Sequence, residues 1–113
     1  MNYDYSPWGR ILGTRNLAKG IKEIRTVAGG GFKLDSAQNL KVHQAWRKAG
    51  GWYEQECEWS IVFLTFPELF ENALTTMIRT SGAIEVVKTF AHETAKENFP
   101  FAYKQVIGSK EIK

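Results

Sequence analysis

Three consecutive glycines, Gly29-Gly30-Gly31, precede Phe32-Lys33-Leu34 in this chain of 113 residues. A glycine run is entropically costly to order. It persists where the backbone must follow a path, or approach a neighbour, that a side chain would forbid. The run is not a nucleotide loop. A Walker loop ends in Gly-Lys-Ser/Thr, and a dinucleotide loop places its glycines between a strand and a helix. Its amides can still cradle an anion, with Lys33 beside them. A tight bend, or close packing against Trp8 or Trp52, is the expected reason for it.

The segments around the glycines predict an α+β domain spanning 1–113. A small antiparallel sheet of three to four strands packs with three to four helices. Residues 1–7 form an extended arm, because Pro7 disfavours helix at Ser6. A short strand over Trp8 to Thr14 and a turn over Asn16 to Gly20 follow. A second strand over Ile21 to Ala28 pairs with the first as a hairpin, and Phe32 to Leu34 resumes the sheet. Asp35 and Ser36 suit an N-cap, so a helix is expected from Ser36 to Lys48, ended by Gly50-Gly51. Trp52 to Glu58 is read as a turn or helical start. Trp59 to Phe66, apolar on both parities from Ile61 to Leu64, reads as a central strand. Helices are expected over Glu68 to Arg79 and Ala83 to Lys96. In the second, Ile84, Val87, Phe90, Ala91 and Ala95 form the packing face. A short helix runs from Phe99 to about Val106, and residues 108–113 form a flexible tail.

Composition narrows the functional classes. The longest apolar run, Ile61 to Leu64, is far below the ~20 residues a bilayer-spanning helix needs. The start, MNYDYSPWGR, has no basic region followed by an apolar run, so a cytoplasmic location is expected. Cys57 is the single cysteine, and it stands apart from His43 and His92 without paired ligand spacing. No metal or cofactor is expected.

Charge is unevenly distributed. Residues 1–50 hold nine Lys/Arg against three Asp/Glu, and residues 51–113 hold six against nine. Arg10, Arg15, Lys19, Lys22 and Arg25 could line the hairpin, with Lys33, Arg47 and Lys48 near. Such a stripe would contact phosphates without reading sequence.

The segment GWYEQECEW, Gly51 to Trp59, alternates Glu54, Glu56 and Glu58 with Tyr53, Cys57 and Trp59. It lacks a calcium-loop pattern. Cys57 with His43 and Asn39, the latter pair four apart on the expected helix, makes a thinkable nucleophile group. Three flanking carboxylates disfavour its thiolate. A small enzyme using Cys57 or the three carboxylates therefore ranks below binding. The expected interaction residues are Trp8, Phe32, Trp52, Tyr53, Glu54, Glu56, Glu58 and Trp59, since aromatics anchor interfaces and carboxylates meet basic surfaces. In a chain this small, the same aromatics also serve as core.

In order, the chain reads Trp8-Gly9, Gly30-Gly31-Phe32 with Leu34, Asn39, Gly51-Trp52-Tyr53-Glu54, Glu56-Cys57-Glu58-Trp59 and Phe66-Pro67. This set resembles an uncharacterised domain family of phages, plasmids and other bacterial mobile elements. In the family, a histidine precedes Gly-Gly-Phe, where Gly29 stands here. The resemblance implies an accessory protein that binds a bacterial host protein or protein–nucleic-acid complex. Inhibition of a defence system such as CRISPR belongs to that context. Non-specific nucleic-acid binding and a twofold homodimer that buries the aromatic patch are the alternatives.

Overall fold

A computed structural model describes residues 5–69 and 83–111. Two antiparallel sheets are present among them. Strands β1 (Tyr5–Ser6) and β2 (Gly9–Arg10) form a short hairpin. Strands β3 (Gly13–Ala18), β4 (Ile21–Thr26), β5 (Gly29–Leu34) and β6 (Trp52–Glu54) form a sheet in that order. The helices are α1 (Ser36–Asn39), α2 (Trp59–Thr65), α3 (Ala83–Asn98) and α4 (Pro100–Glu111), and residues 67–69 are also helical. The expected α+β class is the observed one. Most of the helix predicted over Glu68 to Arg79 lies outside the described residues.

The sheet divides its side chains between two environments. Residues directly opposite on antiparallel strands share a face. Ile21 pairs with Leu34, and Phe32 lies between Glu23 and Tyr53 in register. Ile21, Phe32, Leu34 and Tyr53 therefore form an apolar floor. Ile61, Val62 and Phe63 of α2, Ala91 and Ala95 of α3, and Val106 of α4 complete the core above it. On the other face, Ile24 and Thr26 are also buried. There the N-terminal hairpin closes over the sheet. The Thr26 hydroxyl faces the carbonyls of Trp8 (3.4 Å) and Gly29 (3.2 Å), and Trp8 meets Trp52 edge to face at 5.6 Å.

The glycine run lies inside β5; it does not interrupt the sheet. Gly30 has φ +155°, and a Cβ there would strike the Ile24 carbonyl oxygen. At Gly31 the reason is packing alone. An added Cβ would strike the Tyr53 carbonyl oxygen and lie 2.8 Å from both the Glu54 Cα and Cη2 of Trp8. Close packing against Trp8 was one of the two expected reasons.

Three expected elements are replaced, the first being the turn or helical start expected from Trp52, which is strand over Trp52–Glu54. The predicted helix from Ser36 to Lys48 stops at Asn39, although Asp35 caps it as expected by accepting the Gln38 amide at 2.8 Å. Beyond Asn39, side chains take over the backbone's hydrogen bonds. Arg47 donates to the carbonyls of Val42 (2.9 Å) and Leu40 (3.1 Å), and the Asn39 amide donates to the Lys48 carbonyl (2.7 Å). This loop buries Val42 and Trp46 and leaves Leu40 exposed.

The predicted central strand over Trp59 to Phe66 is helix α2. Its apolar run fits a helix buried all round as well as it fits a central strand. The turn before it decides. The chain is already wound there, with Ser60 N–H on the Cys57 carbonyl and Ile61 N–H on the Glu58 carbonyl.

Smaller boundaries also shift. The first hairpin strand runs Gly13–Ala18, with an irregularity between Asn16 and Ala18, so the turn is confined to Lys19-Gly20. Helix α4 continues through Gly108 to Glu111, past the expected end near Val106. Phe90, expected on the packing face of α3, is 57% exposed.

Replacing Gly31 with Ala should force β5 and β6 apart. A loss of about 2–3 kcal/mol is expected, visible as a lowered urea midpoint. Retention of wild-type stability would contradict the packing at this position.

Candidate functional site

The segment Gly51 to Trp59 is organised by two residues. Tyr53, at the centre of β6, is fully buried and points into the core. Its hydroxyl donates to Asn39 Oδ1 at 2.6 Å and accepts the Lys48 amide at 3.0 Å. Burial pushes its phenol pKa up, while the Lys48 amide and Arg47 pull it partly back. Glu54, next in sequence, points to the opposite face. Its carboxylate accepts amides from Glu56 (2.9 Å), Cys57 (2.6 Å) and Glu58 (2.8 Å). Glu58 returns the contact by accepting the Glu54 amide at 3.0 Å, and its other oxygen pairs with Lys48 at 2.8 Å. A carboxylate accepting successive amides at the start of a wound segment resembles a capping arrangement and favours winding.

The eight expected interaction residues therefore separate. Phe32 and Tyr53 belong to the core and cannot themselves meet a partner. Trp8 and Trp52 pack against each other over β5, half-buried. Glu54 and Glu58 are occupied by the turn. Glu56 is exposed. Trp59 sits at the start of α2, against Phe63 at 6.1 Å and Phe90 at 5.6 Å.

Neither chemical group considered for this segment assembles. Asn39 is committed to Tyr53 and Lys48, and His43 Nδ1 accepts the Ala45 amide at 3.0 Å. His43 also lies beyond the end of α1, so it does not share a helix face with Asn39. Burial raises the Cys57 thiol pKa, and Glu54, Glu56, Glu58 and Glu97 raise it further. Among the described residues, no three His, Cys, Asp or Glu side chains gather closely enough to hold a metal ion. No described helix is long and apolar enough to cross a membrane.

The basic residues are split by strand alternation. Arg15 and Arg25 lie on one side of the sheet, Lys22 and Lys33 on the other. Arg15 pairs with Glu23 at 3.0 Å, and the Arg25 guanidinium lies against Gly13. Lys33 donates to the Gly50 carbonyl at 2.6 Å and sits 4.9 Å from the Trp52 ring centre. Burial lowers its pKa, partly offset by Asp35. Arg10 and Lys19 are exposed, in β2 and in the turn after β3. Lys48, expected near this stripe, is paired with Glu58.

Sequence reasoning missed a surface that adjoins the acidic turn. Val86 and Phe90 on α3 are 69% and 57% exposed, and they border a groove of about 460 Å³ with Glu85, Thr89 and Glu93. The spacing of Val86, Phe90, Glu93 and Glu97 was the available signal, since i, i+4, i+7 and i+11 share a helix face.

These features define a small α+β scaffold in which the glycine and tryptophan motifs hold backbone and core together, with an acidic, aromatic surface at α2 and α3. The chain belongs to the family described as a domain of unknown function (DUF7007), whose model matches residues 2–112. No curated protein and no solved structure matches it.

Two measurements follow. Tyr53→Phe should lose about 1–3 kcal/mol, because Asn39 and the Lys48 amide lose a buried partner; urea unfolding reads this directly. Cys57 should alkylate slowly at neutral pH and speed up only above the usual thiol range, since its thiolate is disfavoured. Mass spectrometry of iodoacetamide-treated protein across pH tests this. Fast labelling at pH 7 would reopen a nucleophilic role.

Proposed function

We propose that this domain is a protein-interaction module: an accessory protein of a phage or mobile element that binds a bacterial host protein in the host cytoplasm. The observation that carries the reading is the half-open aromatic pair of Trp59 and Phe90, 5.6 Å apart and bordered by carboxylates. Aromatic anchors with a polar rim are the usual energetic centre of protein interfaces. The family motifs support the reading indirectly. Their residues serve the scaffold, so recognition falls to the surface that the scaffold presents. Inhibition of a host defence system, CRISPR included, is one consequence such binding would have.

Nucleic-acid binding finds less support, because the cations do not gather on one face and several already have partners. Capture from host lysate with a tagged chain, with and without nuclease, separates the two. A protein partner retained after nuclease, and reduced at least about tenfold by Phe90→Ser, is expected. Recovery of nucleic acid alone would overturn the interaction reading.

A further inference from the structure

Helix α3 turns by 100° per residue, so Val86, Phe90, Glu93 and Glu97 fall within about 60° of one another. They form one stripe along its outer side. Val86 and Phe90 supply the apolar part, and Trp59 of α2 supports Phe90 from the flank. Glu85 and Glu93 edge the groove beside them. Trp59, which directly follows the acidic turn, meets Phe90 at 5.6 Å and so brings the stripe next to that turn.

The state of these carboxylates indicates what the stripe fits. Glu54 is consumed by backbone amides and Glu58 by Lys48. Among the described residues, Glu56, Glu85, Glu93 and Glu97 form no ion pair. Among the domain's own cations, Arg15 is held by Glu23, Lys48 by Glu58 and Lys33 by the Gly50 carbonyl. Lys88 lies on the opposite side of α3, whereas Lys96 projects about 60° from Glu93, on the side of Glu85. The chain as a whole carries a formal charge of +3. It therefore repels a polycation at long range, and attraction must come from this face.

Resting on the protein-binding reading above, we infer that the α3 stripe receives a basic amphipathic segment of the partner. An apolar side chain of that segment seats between Val86 and Phe90, and its Lys or Arg residues meet Glu93 and Glu97. Helix-in-groove recognition by spaced apolar anchors has this form.

Calorimetric titration of the full chain with three synthetic peptides of equal length tests the inference. One is a Lys/Leu amphipathic helix, one its Glu/Leu counterpart, and one a Lys/Ser peptide of equal charge without an apolar side. Binding of the first alone is expected. Phe90→Ser should weaken it at least about tenfold. Glu93→Gln with Glu97→Gln should weaken it and flatten its salt dependence. Circular dichroism of each variant checks that it folds. Equal binding of the Lys/Ser peptide, or indifference to Phe90→Ser, overturns the inference. So does light scattering that shows a second copy of the chain occupying the stripe, as a dimer lost in Phe90→Ser. Lysate capture separates the two readings. A protein partner indifferent to the stripe variants leaves the interaction reading standing and removes this address. Peptide binding without any captured protein does the reverse.

Discussion

The hydroxyl of Tyr53 joins the parts of the domain that local sequence does not join. It is held by Asn39 from one side and by the Lys48 amide from the other, so both ends of the loop after α1 close on one buried atom. That loop delivers Val42 and Trp46 to the core, and Trp46 then meets Tyr103 of α4 at 6.5 Å. The neighbouring residue, Glu54, directs the following turn into α2. One three-residue edge strand thus positions the loop before it and the helix after it. A buried, fully partnered polar group gives this kind of control because any other loop path would leave it unsatisfied.

The same edge strand explains the glycines. β6 can approach β5 closely enough to pair only because Gly31 presents no side chain to Tyr53, Glu54 and Trp8. Gly51, with φ +79°, makes the matching approach at the other end, where its Cβ would strike the Leu34 carbonyl oxygen. The Leu34 amide donates to the Gly51 carbonyl at 2.8 Å. The Gly-Gly-Phe and Gly-Trp-Tyr motifs, Gly30 to Phe32 and Gly51 to Tyr53, are two sides of one contact.

What could be read in advance follows from how local each cause is. Strand β4, the Asp35 cap and helix α3 rest on neighbours within a few residues, and all three were legible, whereas the partner strand expected over Trp8 to Thr14 is Gly13–Ala18. The loop from Leu40 to Gly50 was not, because its hydrogen bonds depend on a tyrosine that reaches it only after the sheet forms. Helix α2 was misread for a different reason. Four consecutive apolar residues carry no period, and the deciding contact is a glutamate side chain five residues before the helix begins. At the candidate site the carboxylates were legible and their division was not. Alternation marked Glu54, Glu56 and Glu58 as equivalent, whereas the turn consumes two of them and exposes one.

Phe90 shows most clearly where sequence and surface part. Its spacing from Ala91 and Ala95 places it near the packing face, and a core role is the natural reading. Yet it sits on the flank of that face, touching Trp59 with one side and open on the other. An exposed aromatic is ordinary when isolated. Here it continues into Val86, borders a groove and is edged by Glu85 and Glu93, which form no ion pair among the described residues. The interior accounts for Phe32, Leu34, Asn39 and Tyr53 of the conspicuous motifs. Recognition is therefore better sought in an inconspicuous stripe of α3, where apolar surface and unpaired charge coincide without a structural need for either.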